Sequence, residues 1–133
     1  MENFIAIELT ASLTVNDLQK SIAWYCDVIG FTIARKIERE GALRAVSLTA
    51  GNVRILLGVD DGAKGKDRVK GAGMSMQLVT GQNIDECASG IKARGGTLLA
   101  EPADMPWGSR MFRVEDPDGF KFTIASPRPP ETV

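Results

Sequence analysis

Apolar and polar positions alternate through much of residues 4–15 (FIAIELTASLTV), a period that predicts a first strand. The period then changes. Asn16-Asp17 offers a helix N-cap, and Leu18, Ile22, Tyr25 and Ile29 recur at steps of four, three and four. They form one apolar stripe of a helix that Gly30 closes. Three short runs follow at 31–39, 43–49 and 53–59, and Gly41 and Ala50-Gly51-Asn52 between them predict strands joined by tight turns. Residues 60–71 (DDGAKGKDRVKG) carry no period and read as a solvated, flexible linker.

The same plan then recurs. Residues 73–80 predict a strand, 82–94 a helix stopped by Gly95-Gly96, and 97–101, 109–115 and 120–125 three more strands. The apolar-basic-apolar run VRIL at 53–56 has a counterpart in FKFT at 120–123. Two βαβββ modules of about 60 residues each follow from this repetition. They occupy 1–60 and 72–126, with a linker at 61–71 and a proline-rich tail at 127–133. The expected architecture is α+β, one structural domain whose eight strands make an open, cup-shaped sheet with the helices outside. A cup lined by inward side chains suits a small molecule.

Composition narrows the chemistry. The 133 residues are 44% hydrophobic and 25% charged, the profile of a globular chain able to fold without disulfides or metal. With 16 basic and 17 acidic residues, net charge supplies no pull towards nucleic acid or an anionic membrane. There is no histidine, which removes the usual nitrogen ligand of transition metals and the base of Ser-His and Cys-His pairs. Cys26 and Cys87 lack C-x-x-C spacing and fall on the two predicted helices, where buried, inert thiols are expected. The opening residues MENFIAIELT lack the basic region and long apolar core of a signal peptide, so a cytoplasmic protein with reduced thiols is expected.

Three motifs invite functional readings. Asp116-Pro117-Asp118-Gly119 fails as a calcium loop, because Val114 and Ala125 would fall where oxygen ligands are required, and reads instead as a hairpin turn. Gly62-Ala63-Lys64-Gly65-Lys66 lacks the spacing of a phosphate loop. Its neighbourhood of Lys64, Lys66, Arg68 and Lys70 is either a solvated loop or a cationic edge facing an anionic ligand. In Pro106-Trp107-Gly108-Ser109-Arg110, a tryptophan and a guanidinium fork share a loop, where they either pack or meet a ligand.

LTVNDLQKSIAWYCDVIGF, together with GGTLLAEPADMPWGSRMFRVEDPDGFKFTIA, resembles the vicinal oxygen chelate superfamily. This superfamily includes glyoxalase I, extradiol dioxygenases, fosfomycin-resistance enzymes and bleomycin-resistance binding proteins. The resemblance spans roughly residues 5–126 and implies paired βαβββ modules and, commonly, a homodimer. It also implies two metal ligands per module, histidine, glutamate or glutamine, from the first and last strands. Those positions fall here on Thr10, Leu56, Met74 and Thr123, which offer no carboxylate or imidazole to replace the water around a divalent ion.

No metal or other cofactor is therefore expected. The favoured function is a metal-free binding protein of the glyoxalase/bleomycin-resistance type that sequesters a drug or metabolite. Its ligand would be held by Thr10, Ser12, Leu56, Met74, Met76, Trp107, Arg110 and Thr123. Two alternatives stand beside it. One is a lyase, isomerase or oxygenase using Glu8, Glu101 or Glu115 as a general base; the other is an interaction module whose cup is filled by side chains.

Overall fold

The computed structural model describes residues 2–65 and 67–129; Met1, Lys66 of the linker and residues 130–133 of the tail lie outside the described residues. The chain runs β1 (Thr10–Val15), α1 (Leu18–Ala23), a π-helical stretch (Trp24–Ile29), β2 (Thr32–Arg39), β3 (Ala42–Ala50) and β4 (Val53–Val59). It continues as β5 (Met76–Val79), α2 (Ile84–Ala93), β6 (Leu98–Asp104), β7 (Arg110–Glu115) and β8 (Lys121–Ala125). This is the βαβββ plan twice over. The Asp17 carboxylate caps α1 by accepting from Lys20 N at 3.1 Å, and Asn83 caps α2 through Glu86 N at 3.0 Å. Gly30 ends the first helical segment at φ 115°, a left-handed conformation that glycine adopts without Cβ strain.

The eight strands make two four-stranded sheets, ordered β1-β4-β3-β2 and β5-β8-β7-β6. In each, the first strand lies parallel to the last and the other pairings are antiparallel. β1 starts later than the 4–15 run suggests. Its partner β4 begins at Val53, so among the described residues no backbone pairs with residues 4–9. Phe4, Ile5, Ile7 and Leu9 consequently stay exposed.

One face of each sheet enters a shared apolar core. Leu13, Val15, Val46, Leu48, Ile55 and Leu57 come from the first sheet, and Phe112, Val114, Phe122 and Ile124 from the second. Tyr25, 1% exposed, sits between them with its ring edge-on to Phe31 (5.9 Å) and Phe122 (5.8 Å). The first helical segment thus packs against the sheet built from the other half of the chain.

Polar groups complete that junction. Asp116 is buried, and its Oδ1 accepts from Asp118 N at 2.9 Å and Phe120 N at 2.8 Å. Its Oδ2 accepts from the Tyr25 hydroxyl at 2.7 Å. Asp118 accepts from Asn16 N at 2.9 Å and Ser21 Oγ at 3.4 Å. Asp116–Gly119 is therefore a hairpin turn that also ties α1 to the second sheet.

The linker is anchored at both ends. Buried Asp60 accepts from Gly62 N at 2.8 Å, with Lys70 Nζ 2.9 Å and Arg68 Nε 3.6 Å from its other oxygen. Lys70 also donates to Asn16 Oδ1 at 2.9 Å. Lys70, then the Gly62 N–H, lower the Asp60 pKa to about 2. Arg68 and Lys70, read above as a possible cationic edge, therefore serve the fold. No helix among the described residues is long and apolar enough to cross a membrane.

Candidate functional site

The strand registers sort the candidate residues by face, since directly opposed residues project to the same side. Thr10 lies opposite Arg54, Ser12 opposite Leu56, and Leu56 opposite Ser47. Thr10, Ser12 and Leu56 are thus brought together on the outer face of the first sheet, away from the core. Thr10 Oγ1 donates to Glu8 Oε2 at 2.7 Å. Arg54 donates to Ser47 Oγ at 2.6 Å and lies 3.9 Å from the Glu8 carboxylate.

Thr123 lies on the outer face of the second sheet, opposite Gln77 on β5 and Arg113 on β7. The two sheets share the core through their inner faces. Within one chain, Thr123 is therefore set apart from the Thr10–Leu56 group. Met76 is opposite Phe122 and packs against the core, so its side chain is structural and does not join the outer-face site. Met74 precedes β5 and is half-exposed.

The internal symmetry identifies the residue that takes Met74's assigned place. Thr10 stands two residues before Ser12, the partner of Leu56. Two residues before Gln77, the partner of Thr123, is Ser75. Ser75 is therefore the counterpart of Thr10, and the spacing from Gly73 is one residue out of step.

Arg110 is engaged elsewhere. Its guanidinium meets Asp85 at 2.9 and 3.2 Å and Asp104 at 3.1 Å. Its hydrogen bonds to these carboxylates, first Asp85 and then Asp104, raise its pKa and tie the start of α2 to β6 and β7. Its fork is not free for a ligand. Trp107, 53% exposed, sits in a tight loop held by Met105 N to Ser109 O at 2.7 Å and Gly108 N to Met105 O at 3.0 Å. Among the candidate carboxylates, Glu101 accepts from Lys92 Nζ at 2.6 Å, Glu8 contacts Arg54, and Glu115 is exposed on β7.

Two hydroxyls from threonine, one from serine and a leucine side chain do not fit a divalent cation at the superfamily positions, with Ser75 or with Met74 as the fourth. None carries charge to offset the ion's dehydration. Among the described residues, no three histidine, cysteine, aspartate or glutamate side chains gather into a metal site elsewhere.

A separate cleft of about 910 Å³ lies between the end of the π-helical stretch, the β3–β4 turn and α2. Cys26, Phe31, Leu78, Val79, Cys87 and Arg94 line it, whereas Thr10, Ser12, Leu56 and Thr123 do not. Burial raises both thiol pKa values, with Asp27 adding to the effect at Cys26. Sequence reasoning missed this cleft; the one available signal was the matching placement of the two cysteines on the helices.

The chain matches the family model described as the Glyoxalase/Bleomycin resistance protein/Dioxygenase superfamily over residues 6–124. It is similar to a probable lactoylglutathione lyase of Synechocystis sp., 30% identical over 122 residues that cover 87% of this chain and 92% of that protein. A lactoylglutathione lyase of Salmonella typhimurium is 29% identical over 122 residues, covering 87% of this chain and 89% of that protein. Among solved structures, a superfamily member from Sphaerobacter thermophilus superposes with a TM-score of 0.74 at 28% identity, covering 92% of this chain and 98% of that one. TioX from Micromonospora sp. has the same TM-score, 0.74, at 19% identity, covering 91% of this chain and 98% of that one, a likeness of fold alone. The paired βαβββ plan and the family match agree: the chain belongs to the glyoxalase/bleomycin resistance protein/dioxygenase superfamily.

Proposed function

We propose that the chain is a metal-free small-molecule binding protein that sequesters a drug or metabolite on the outer faces of its sheets. The observation that carries this reading is the residue set Thr10, Leu56, Ser75 and Thr123 at the superfamily's ligand positions. Hydroxyl and apolar side chains orient and bury an organic molecule, whereas a metal needs stronger donors.

A cup would close when the outer face of one chain's first sheet meets that of a second copy's second sheet. The exposed Phe4, Ile5, Ile7 and Leu9 and the unpaired edges of β1 and β5 favour such a homodimer. Size-exclusion chromatography with light scattering is expected to give a dimer, and Ile7→Asp with Leu9→Lys a monomer.

Melting the protein with excess EDTA, and separately with nickel, zinc, manganese, magnesium and ferrous ions, tests the metal-free reading, because a native-state ligand raises the melting temperature. A flat response is expected. Stabilisation by one ion, reversed by EDTA, would overturn it.

The names of the Synechocystis and Salmonella relatives favour a second reading, a lyase acting on lactoylglutathione. Metal-dependent turnover of lactoylglutathione by purified protein would establish it in place of the first.

A further inference from the structure

The outer face of the second sheet carries a graded arrangement that suggests the ligand's chemistry. Gln77, Thr123 and Arg113 are successive cross-strand partners on β5, β8 and β7, so an amide, a hydroxyl and a guanidinium stand side by side, about 5 Å apart. Beyond Arg113, the next strand presents only the methyl of Ala100, which leaves room beside the fork. One same-face step along the strands, about 7 Å away, exposed Val79 and half-buried Met111 flank Ala125, which is itself buried. One step the other way, Lys121 lies opposite Glu115.

Arg113 is half-buried and has no hydrogen-bond or ion-pair partner among the described residues; the same is true of Lys121. Arg54 is committed to Ser47 and Glu8, Arg110 to Asp85 and Asp104, Lys70 to Asp60, and Lys92 to Glu101, whereas Lys20, Arg35, Lys36, Arg39, Arg44 and Lys64, which also lack a partner among the described residues, are exposed. A half-buried guanidinium without a counterion has lost hydration with nothing in exchange. Its planar fork, flanked by two neutral hydrogen-bonding groups, matches the oxygens of an acid.

We propose that the ligand is an amphipathic organic anion. Arg113 takes the acidic group with help from Thr123 and Gln77, and the apolar body lies against Met111 and Val79, the accessible side chains on either side of the buried Ala125. Lys121 adds attraction, moderated by Glu115. This inference rests on the metal-free binding reading and assigns its ligand class.

Isothermal titration of the full chain with 2-naphthoate and its uncharged counterpart 2-naphthamide tests it. The naphthoate is expected to bind at least tenfold more tightly, to weaken with added salt, and to lose its advantage in Arg113→Gln while the amide's affinity stays unchanged. Arg113→Lys is expected to retain part of the preference, and melting curves check that both variants fold. Equal binding of the two probes by the unaltered protein, or a preference that survives Arg113→Gln, would overturn the anion assignment alone. Failure of both probes to bind would overturn the anion assignment together with the binding reading beneath it.

Discussion

Replacing Tyr25 by phenylalanine removes one atom from the junction between the halves of the chain. The ring contacts with Phe31 and Phe122 remain, and only the hydroxyl 2.7 Å from Asp116 Oδ2 is lost. Oδ1 keeps its two backbone donors, but Oδ2 is left without a partner in a site where Asp116 is 4% exposed. Loss of a charge-assisted hydrogen bond of this kind costs about 2 kcal/mol. In urea that moves the unfolding midpoint by roughly 1 M, and the melting temperature by roughly 6–10 °C for a chain of this size. The pH dependence sharpens the test. Burial raises the Asp116 pKa, and the Tyr25 hydrogen bond opposes that rise. A carboxyl raised in the folded state favours folding fully below its unfolded value, and loses that contribution as pH rises through the folded value. Phenylalanine raises the pKa further. The penalty of the substitution is therefore fully present above the folded-state pKa values of Asp116 and shrinks as acid protonates it in both proteins. Urea titrations at several pH values measure it; a penalty below about 0.5 kcal/mol at pH 7, within the range of ordinary surface substitutions, or one that does not change with pH, would refute the reasoning.

Three further outcomes are expected. Gly71→Ala places a Cβ 2.4 Å from the Gly119 carbonyl oxygen at φ +76°, whereas Gly73→Ala at φ +75° meets nothing within 4 Å. The second should cost only the left-handed backbone penalty of about 1–2 kcal/mol, and the first clearly more; equal losses in urea unfolding would contradict the close approach. Because the folded state lowers the Asp60 pKa to about 2, its contribution is present above the unfolded value of about 4 and is lost as pH falls through the folded value. Asp60→Asn should flatten that acid limb, and an unchanged limb would remove Asp60 from the linker anchor. Cys26 and Cys87, both raised by burial, should react with a disulfide reagent at pH 7 more slowly than free glutathione and speed up on unfolding; prompt reaction of the native protein would contradict the burial.

Local signals carried much of the architecture. Asp17 and Asn83 cap the helices they precede, Gly30 ends the first helical segment, and alternating Phe122 and Ile124 mark the inner face of β8. The interval from Gly73 pointed to Met74, whereas the pairing of β5 with β8 sends Met76 and Leu78 inward and leaves Gln77 on the outer face, with Ser75 two residues before it. Alternation of the apolar residues Met76 and Leu78 was the better guide. The Tyr25–Asp116 bond was not legible, because the two residues are 91 positions apart and only tertiary packing joins them. Arg110 looked like a free fork for a related reason: Asp85, which holds it, lies 25 positions away on another element.

The metal-free proposal requires that Thr10, Leu56, Ser75 and Thr123 hold no metal. Equilibrium dialysis against nickel, zinc and manganese, followed by elemental analysis, tests it most directly. The variant Thr10→His/Leu56→Glu/Ser75→His/Thr123→Glu serves as the comparison. No stoichiometric metal is expected in the unaltered chain, and uptake is expected when the four donors are installed. One tightly held ion per site in the unaltered chain, lost on substituting these four positions by alanine, would contradict it.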